Sequence, residues 1–190
     1  MPKKTIFFSS LVFVLGLALL FFFLNREYFS TTQTTKTNSA EPSAAIAPRP
    51  ECPETALPVS LPCLGADSVP NTSKAQYTVV SLWAWWCQPC RVELPLFDQL
   101  RNEHPEYNVI GVHADKVAAP GAQLLTDLNV ELPSYHDDRG TFAAALGLPS
   151  VVPITIVFDE RGTMLGYQAK AFTDYAELEQ AVASLIAGAS

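Results

Sequence analysis

The stretch Tyr77-Thr78-Val79-Val80-Ser81-Leu82-Trp83 is almost continuously apolar or β-branched, which predicts a strand buried on both faces. The period then changes. Across 88–104 the apolar positions Val92, Leu94, Leu96, Phe97 and Leu100 recur at helical spacing and predict a helix bent by Pro95. Residues 107–113 predict a second strand. Shorter helical patterns occupy 123–128 and 141–146, with an extended stretch at 133–137 between them. Residues 154–158 and 164–168 flank Asp159-Glu160-Arg161-Gly162, a hairpin signature. An amphipathic helix over 175–186, with Ala176, Leu178, Ala181, Val182, Leu185 and Ile186 on one side, follows the hairpin. Strands alternating with helices, then a hairpin and a helix, predict an α/β domain with a mixed sheet covered on both faces.

Ahead of this domain lie two segments of different character. Residues 6–24 carry no charge over 19 positions, enough at about 1.5 Å per residue to cross a hydrocarbon layer of roughly 30 Å. Lys3 and Lys4 precede the run and favour a cytoplasmic N-terminus, a bias that Arg26 weakens. A cleaved signal peptide fits less well. Its apolar region is usually shorter, and Asn25-Arg26-Glu27-Tyr28-Phe29 offers no small-x-small site. Ala45-Ile46-Ala47 has that pattern but comes more than twenty residues too late, and no lipobox-like cysteine follows the run. Residues 1–27 therefore predict an uncleaved transmembrane anchor. Residues 28–50, rich in Thr, Ser, Ala and Pro, predict a flexible linker, with the folded domain at 51–190.

Charge sharpens this division. Residues 1–50 hold five basic and two acidic side chains, a net of +3, so 51–190 carry −10 of the total −7. An acidic domain is a poor partner for nucleic acid or anionic lipid. No Walker-type loop or dinucleotide glycine fingerprint is present.

The chemistry resides in the cysteines. Trp86-Cys87-Gln88-Pro89-Cys90 joins the first strand to the first helix of the domain. Two thiols three positions apart at a helix start can close a tight disulfide, and the first sits where backbone N–H groups and the helix dipole favour a thiolate. Cys52 and Cys63 lie in a proline-rich segment unsuited to a helix. An even cysteine count outside the cytoplasm suggests that they pair, closing a loop of about a dozen residues for about 3 kcal/mol in the chain-entropy picture. A second redox pair relaying electrons to Cys87 and Cys90 is the alternative. A zinc site would want four ligands in close pairs. Here one Cys-x-x-Cys stands alone, and His104, His113 and His136 lack paired spacing, so neither metal nor cofactor is expected.

The segment from Trp83 to Pro95, Trp-Ala-Trp-Trp-Cys-Gln-Pro-Cys-Arg-Val-Glu-Leu-Pro, resembles the active-site segment of the thioredoxin superfamily. Its Glu-Leu-Pro ending resembles the membrane-anchored TlpA/ResA/DsbE-like branch. Val151-Val152-Pro153 and the strand leading to Gly162 resemble the family's cis-proline segment and hairpin. The long span 109–148 resembles the branch's extra helix and strand. The likeness covers about 51–190 and implies a thioredoxin-like fold, a mixed central sheet flanked by helices. It implies Cys87 as exposed nucleophile and Cys90 as buried resolving thiol. Trp86, Gln88, Pro89, Val152 and Pro153 support the site, Pro153 as a cis proline that leaves the Val152 backbone free for substrate. The peroxiredoxin motif Pro-x-x-x-Thr/Ser-x-x-Cys is absent, its positions being Val80 and Ala84.

One departure matters. Thioredoxin has a buried acid six positions before the first cysteine; here stands Ser81, which is no base at neutral pH. Glu93 or a water could replace it. The resemblance implies a single-pass protein of the cytoplasmic membrane with its thioredoxin-like domain on the extracytoplasmic side. That domain would exchange disulfides with exported proteins and be recycled by a redox partner that the sequence does not identify. The alternatives are a dedicated reductant of apocytochrome c thiols and, from another class, a tethered binding or chaperone module without turnover.

Overall fold

The seven-residue apolar run forms the central strand, as its composition demands. A computed structural model describes residues 46–70 and 75–188, together with Leu20. The predicted anchor and most of the predicted linker lie outside the described residues. Among the described residues, no helix is long and apolar enough to cross a membrane.

In chain order the elements are β1 (Cys52–Pro53), β2 (Ser68–Val69), β3 (Tyr77–Trp83), α1 (Gln88–Glu103), β4 (Tyr107–His113) and α2 (Ala118–Asp127). They continue with β5 (Ser134–His136), α3 (Thr141–Ala145), β6 (Ile154–Asp159), β7 (Met164–Gln168) and α4 (Tyr175–Ala187). The main sheet runs β5-β4-β3-β6-β7. Strands β3, β4 and β5 are parallel, whereas β6 pairs antiparallel with β3 and with β7. The short parallel pair β1–β2 lies apart from it. This is a thioredoxin-like fold, a mixed sheet flanked by helices.

Side-chain alternation splits the core into two clusters. Val79, Trp83, Val109 and Val157 pack against Cys90, Leu94, Phe97 and Leu100 of α1 and Leu178 and Val182 of α4. Val80, Leu82, Ile110, Val112, Ile154, Ile156 and Phe158 point to the other face, onto Phe142 of α3, Cys52 and Tyr135.

Two expectations are corrected. Helix α2 begins at Ala118, not 123, and takes in Pro120 and Gly121. Proline is tolerated in a first turn, where the N–H would lack a partner anyway, and Gly121 is required by its neighbour. A Cβ there would stand 2.6 Å from the His113 ring. The packed chain also starts before Glu51, within the compact unit Ala44–Ser190. Arg49, whose side chain is 4% accessible, donates to Thr126 Oγ1 (3.2 Å) and to the Val130 carbonyl. Its backbone N–H bonds to Gly65 O (3.1 Å). Gly65 has φ of +77°, and a Cβ there would meet Ala47 O at 2.5 Å, so glycine is what lets this strap lie flat.

Candidate active site

Strand β3 ends at Trp83, and a tight turn with Cys87 N bonded to Ala84 O (3.1 Å) delivers the chain to α1. Cys87 is the N-cap, with extended φ/ψ of −78°/106°, and its sulfur accepts the Cys90 N–H at 3.2 Å. Gln88 and Pro89 occupy the first helical turn, where the missing proline N–H costs nothing. Cys87 and Cys90 are bonded, with S–S 2.04 Å and Cα–Cα 5.3 Å.

The expected exposure of Cys87 is not observed: it is 4% accessible, and Cys90 is fully buried. Ala84, Trp83 and half-buried Val152 crowd the cluster that holds both sulfurs. The more accessible of the two is still Cys87. Around it the surface is apolar, with Trp86 56% and Val151 51% exposed, while Gln88 and Pro89 face solvent. The Val152–Pro153 bond is cis, Pro153 is buried at the start of β6, and Val152 packs against the cysteine-bearing cluster.

A second set of residues lies at the same end of the sheet because β3 and β4 run parallel and finish together, with Trp83 opposite His113. Asp115, two residues beyond β4, accepts the Trp86 indole N–H at 2.9 Å on one oxygen and Val117 N–H at 2.9 Å on the other. Burial works against ionisation of Asp115. The hydrogen bonds from Val117, Trp86 and Trp85 nonetheless hold its carboxyl below the ordinary range. His136 bonds to the Asp115 carbonyl at 2.8 Å through Nε2. His113 is sandwiched by Trp83 (centroids 4.6 Å) and His136 (5.6 Å), and neither ring nitrogen has a partner among the described residues. Burial, reinforced by His136, pushes its pKa down to about 4.

No local sequence pattern announces Asp115, His113 and His136 as parts of one cluster. The available signal was topological: residues following adjacent parallel strands share the carboxyl edge of the sheet.

Glu93 stands one helical turn after Cys90 on α1 and is 1% accessible. Oε1 accepts Phe172 N–H at 3.0 Å, and Oε2 has no partner among the described residues. Burial raises its pKa to about 7, opposed in part by the Phe172 bond. A carboxyl that gains and loses a proton near neutrality is what the Ser81 position lacks.

Cys52 and Cys63 form the other disulfide, S–S 2.01 Å and Cα–Cα 5.7 Å. It belongs to the opposite face of the sheet from Cys87 and Cys90. Cys63 bridges to Tyr135, Leu64 N–H bonds to Ser134 O (2.8 Å) and His136 N–H to Pro62 O (2.8 Å), so the stapled segment covers the β5 edge. The 52–63 bond thus ties down the β5 edge on the face of the sheet away from Cys87 and Cys90. Among the described residues, no cluster of three His, Cys, Asp or Glu side chains is arranged to hold a metal ion.

The fold and the paired thiols define a thioredoxin-like protein. The chain belongs to the AhpC/TSA family, which matches residues 53–166. It is similar to sporulation thiol-disulfide oxidoreductase A of Bacillus subtilis, 28% identical over 100 residues covering 50% of this chain and 59% of that one. It is also similar to thiol-disulfide oxidoreductase ResA of Oceanobacillus iheyensis, 31% identical over 67 residues, 33% of each chain. The chain thus spans less than two thirds of either relative. Among solved structures, dsbF of MTB superposes with a TM-score of 0.58 at 23% identity, over 68% of this chain and 96% of that one, a likeness of fold.

Proposed function

We propose that the protein is a thiol-disulfide oxidoreductase that works through Cys87 and Cys90 on the cysteines of exported proteins. In this reading, residues 6–24 hold it in the cytoplasmic membrane with the thioredoxin-like domain outside. The observation that carries the redox reading is the Cys87–Cys90 disulfide capping α1 beside the cis Val152–Pro153 bond. The names of the relatives support the same activity.

In the reducing direction the Cys87 thiolate attacks a substrate disulfide. One substrate sulfur leaves as a thiolate, and Cys87 becomes joined to the other. Cys90 then loses its proton and attacks Cys87, which re-forms the 87–90 bond and releases the second substrate thiol. Glu93, buried behind Cys90, is the group placed to take that proton. Its negative charge also disfavours a persistent thiolate nearby, which favours the reductant direction. A redox partner on the same side of the membrane restores the dithiol.

Titration of the full chain against a thiol buffer, read by mass spectrometry of the Cys87–Cys90 peptide, tests this. A potential near about −270 mV is expected, and one near about −120 mV reverses the assigned direction. A Cys87→Ser protein that still reduces insulin at the wild-type rate removes the redox reading altogether. Labelling of Cys87 by an impermeant thiol reagent in intact, reduced cells tests the orientation, and no labelling until the cells are opened contradicts it.

A further inference from the structure

On the sheet face that meets α1, one cross-strand row differs from its neighbours. Thr155, Ser81, Gly111 and Ser134 stand side by side on β6, β3, β4 and β5. The row on one side is Val157, Val79 and Val109; on the other it is Trp83, His113 and His136. A Cβ at Gly111 would meet Ser134 Oγ at 2.4 Å and the Trp83 indole nitrogen at 2.7 Å, so the Ser134 end of the row is filled. Ser134 satisfies its hydroxyl on Leu132 O (3.1 Å). Ser81 and Thr155 are both fully buried, and neither hydroxyl has a partner among the described residues, not even the other. On α1, whose Cys90 and Leu94 pack on this face of the sheet, buried Glu93 carries an equally unpartnered Oε2. A buried hydroxyl or carboxyl oxygen left without a hydrogen bond is costly, and such groups are most simply satisfied by water.

We propose that ordered water between this row and α1 links the Ser81 and Thr155 hydroxyls to the free oxygen of Glu93, making the two hydroxyls positioning residues for proton transfer at Cys90. This rests on the redox reading above. When Cys90 resolves a mixed disulfide, its thiol proton passes through the water to the Glu93 carboxylate. The Cys90–Cys87 bond forms, the Cys87–substrate bond breaks, and the substrate sulfur leaves with the electron pair and takes a proton from solvent. The enzyme dithiol is oxidised, the substrate disulfide is reduced, and Glu93 later returns its proton to solvent. The serine at position 81 is then part of a three-residue replacement for a buried acid rather than a loss.

Reduced full chain mixed with a chromogenic aromatic disulfide releases one thiolate when Cys87 attacks and a second when Cys90 resolves. Ser81→Ala with Thr155→Val, which removes both hydroxyls at nearly constant volume, is expected to slow the second release about tenfold or more and flatten its pH dependence. Thr155→Ser, which keeps a hydroxyl, is expected to retain the wild-type second phase. An unfolding midpoint that stays well above the assay temperature in the double variant separates a proton-transfer defect from misfolding. A wild-type second phase and pH profile in the double variant overturns the proposal. If Glu93→Gln alone then slows that phase, the carboxyl is the base without the hydroxyls. Full thiolate release by Cys87→Ser instead sinks the redox reading itself. A crystal structure that orders internal water should show density within hydrogen-bonding reach of both hydroxyls, and a dry interlayer there also overturns the proposal.

Discussion

Replacing Glu93 by Gln should make the domain gain stability relative to the wild type as the pH rises from acid to alkaline. The wild-type carboxyl is 1% accessible, with one oxygen on Phe172 N–H and the other unpartnered among the described residues. Its pKa rises from 4.5 to about 7 on folding, mainly through burial. The folded state therefore binds the proton more tightly than the unfolded chain. Stability from this group is fully present below about pH 4.5 and falls as pH rises through 7. At about 1.4 kcal/mol per pH unit, keeping the carboxylate in the fold above neutrality costs about 3 kcal/mol. Gln retains the carbonyl that accepts from Phe172 and cannot ionise. Its amide adds a pH-independent cost, which cancels when the two ends of the pH range are compared. Denaturant unfolding of oxidised wild type and Glu93→Gln, at about pH 4 and about pH 9, should show their difference moving by about 3 kcal/mol in favour of the variant. A difference that stays constant across that range would show that Glu93 ionises as freely in the fold as in water, and the assignment of a proton acceptor behind Cys90 would fall with it.

His113 predicts the opposite slope at the acid end. Its pKa falls to about 4, so stability drops as pH descends from about 6.5 towards 4, by up to about 3 kcal/mol, and His113→Phe should remove that limb of the unfolding profile. Replacing both Cys52 and Cys63 by Ala should cost about 3 kcal/mol in denaturant unfolding yet leave the Cys87–Cys90 potential unchanged, since the two bonds occupy opposite faces of the sheet. Asp115→Ala frees the Trp86 indole and Val117 N–H, and should weaken reduction of polypeptide disulfides several-fold while attack on a small aromatic disulfide changes little. Comparing kcat/KM for the two substrates checks this. Gly121→Ala drives a methyl to within 2.6 Å of the His113 ring and should cost about 1–3 kcal/mol of stability.

Strands with strong local character were readable from the chain. The β-branched run at β3, the two runs flanking the Asp159-Glu160-Arg161-Gly162 turn and the Cys-x-x-Cys at a strand-to-helix junction each announce their structure without tertiary help. The start of α2 was hidden because Pro120-Gly121 reads as punctuation, and only the His113 ring explains the glycine. Arg49 sits in a stretch whose composition says linker, and its engagement depends on partners some eighty residues away. Ser81 was visible as a missing acid, but its pairing with Thr155 required the β3–β6 register, which no local pattern encodes. Glu93 was visible as an acid, but its burial depends on the loop that brings Phe172 over α1.

The placement of the two disulfides on opposite faces has a thermodynamic consequence. Because the 52–63 bond fixes the β5 edge and not α1, opening 87–90 changes one crosslink and leaves the other in place. The free-energy gap between the oxidised and reduced folded domains then closes a cycle with the same two forms unfolded. How much the site's potential departs from that of an unstructured Cys-x-x-Cys equals the difference between two unfolding free energies, at about 30 mV for each 1.4 kcal/mol. The redox direction of this protein is thus written into which of its two forms resists denaturant better.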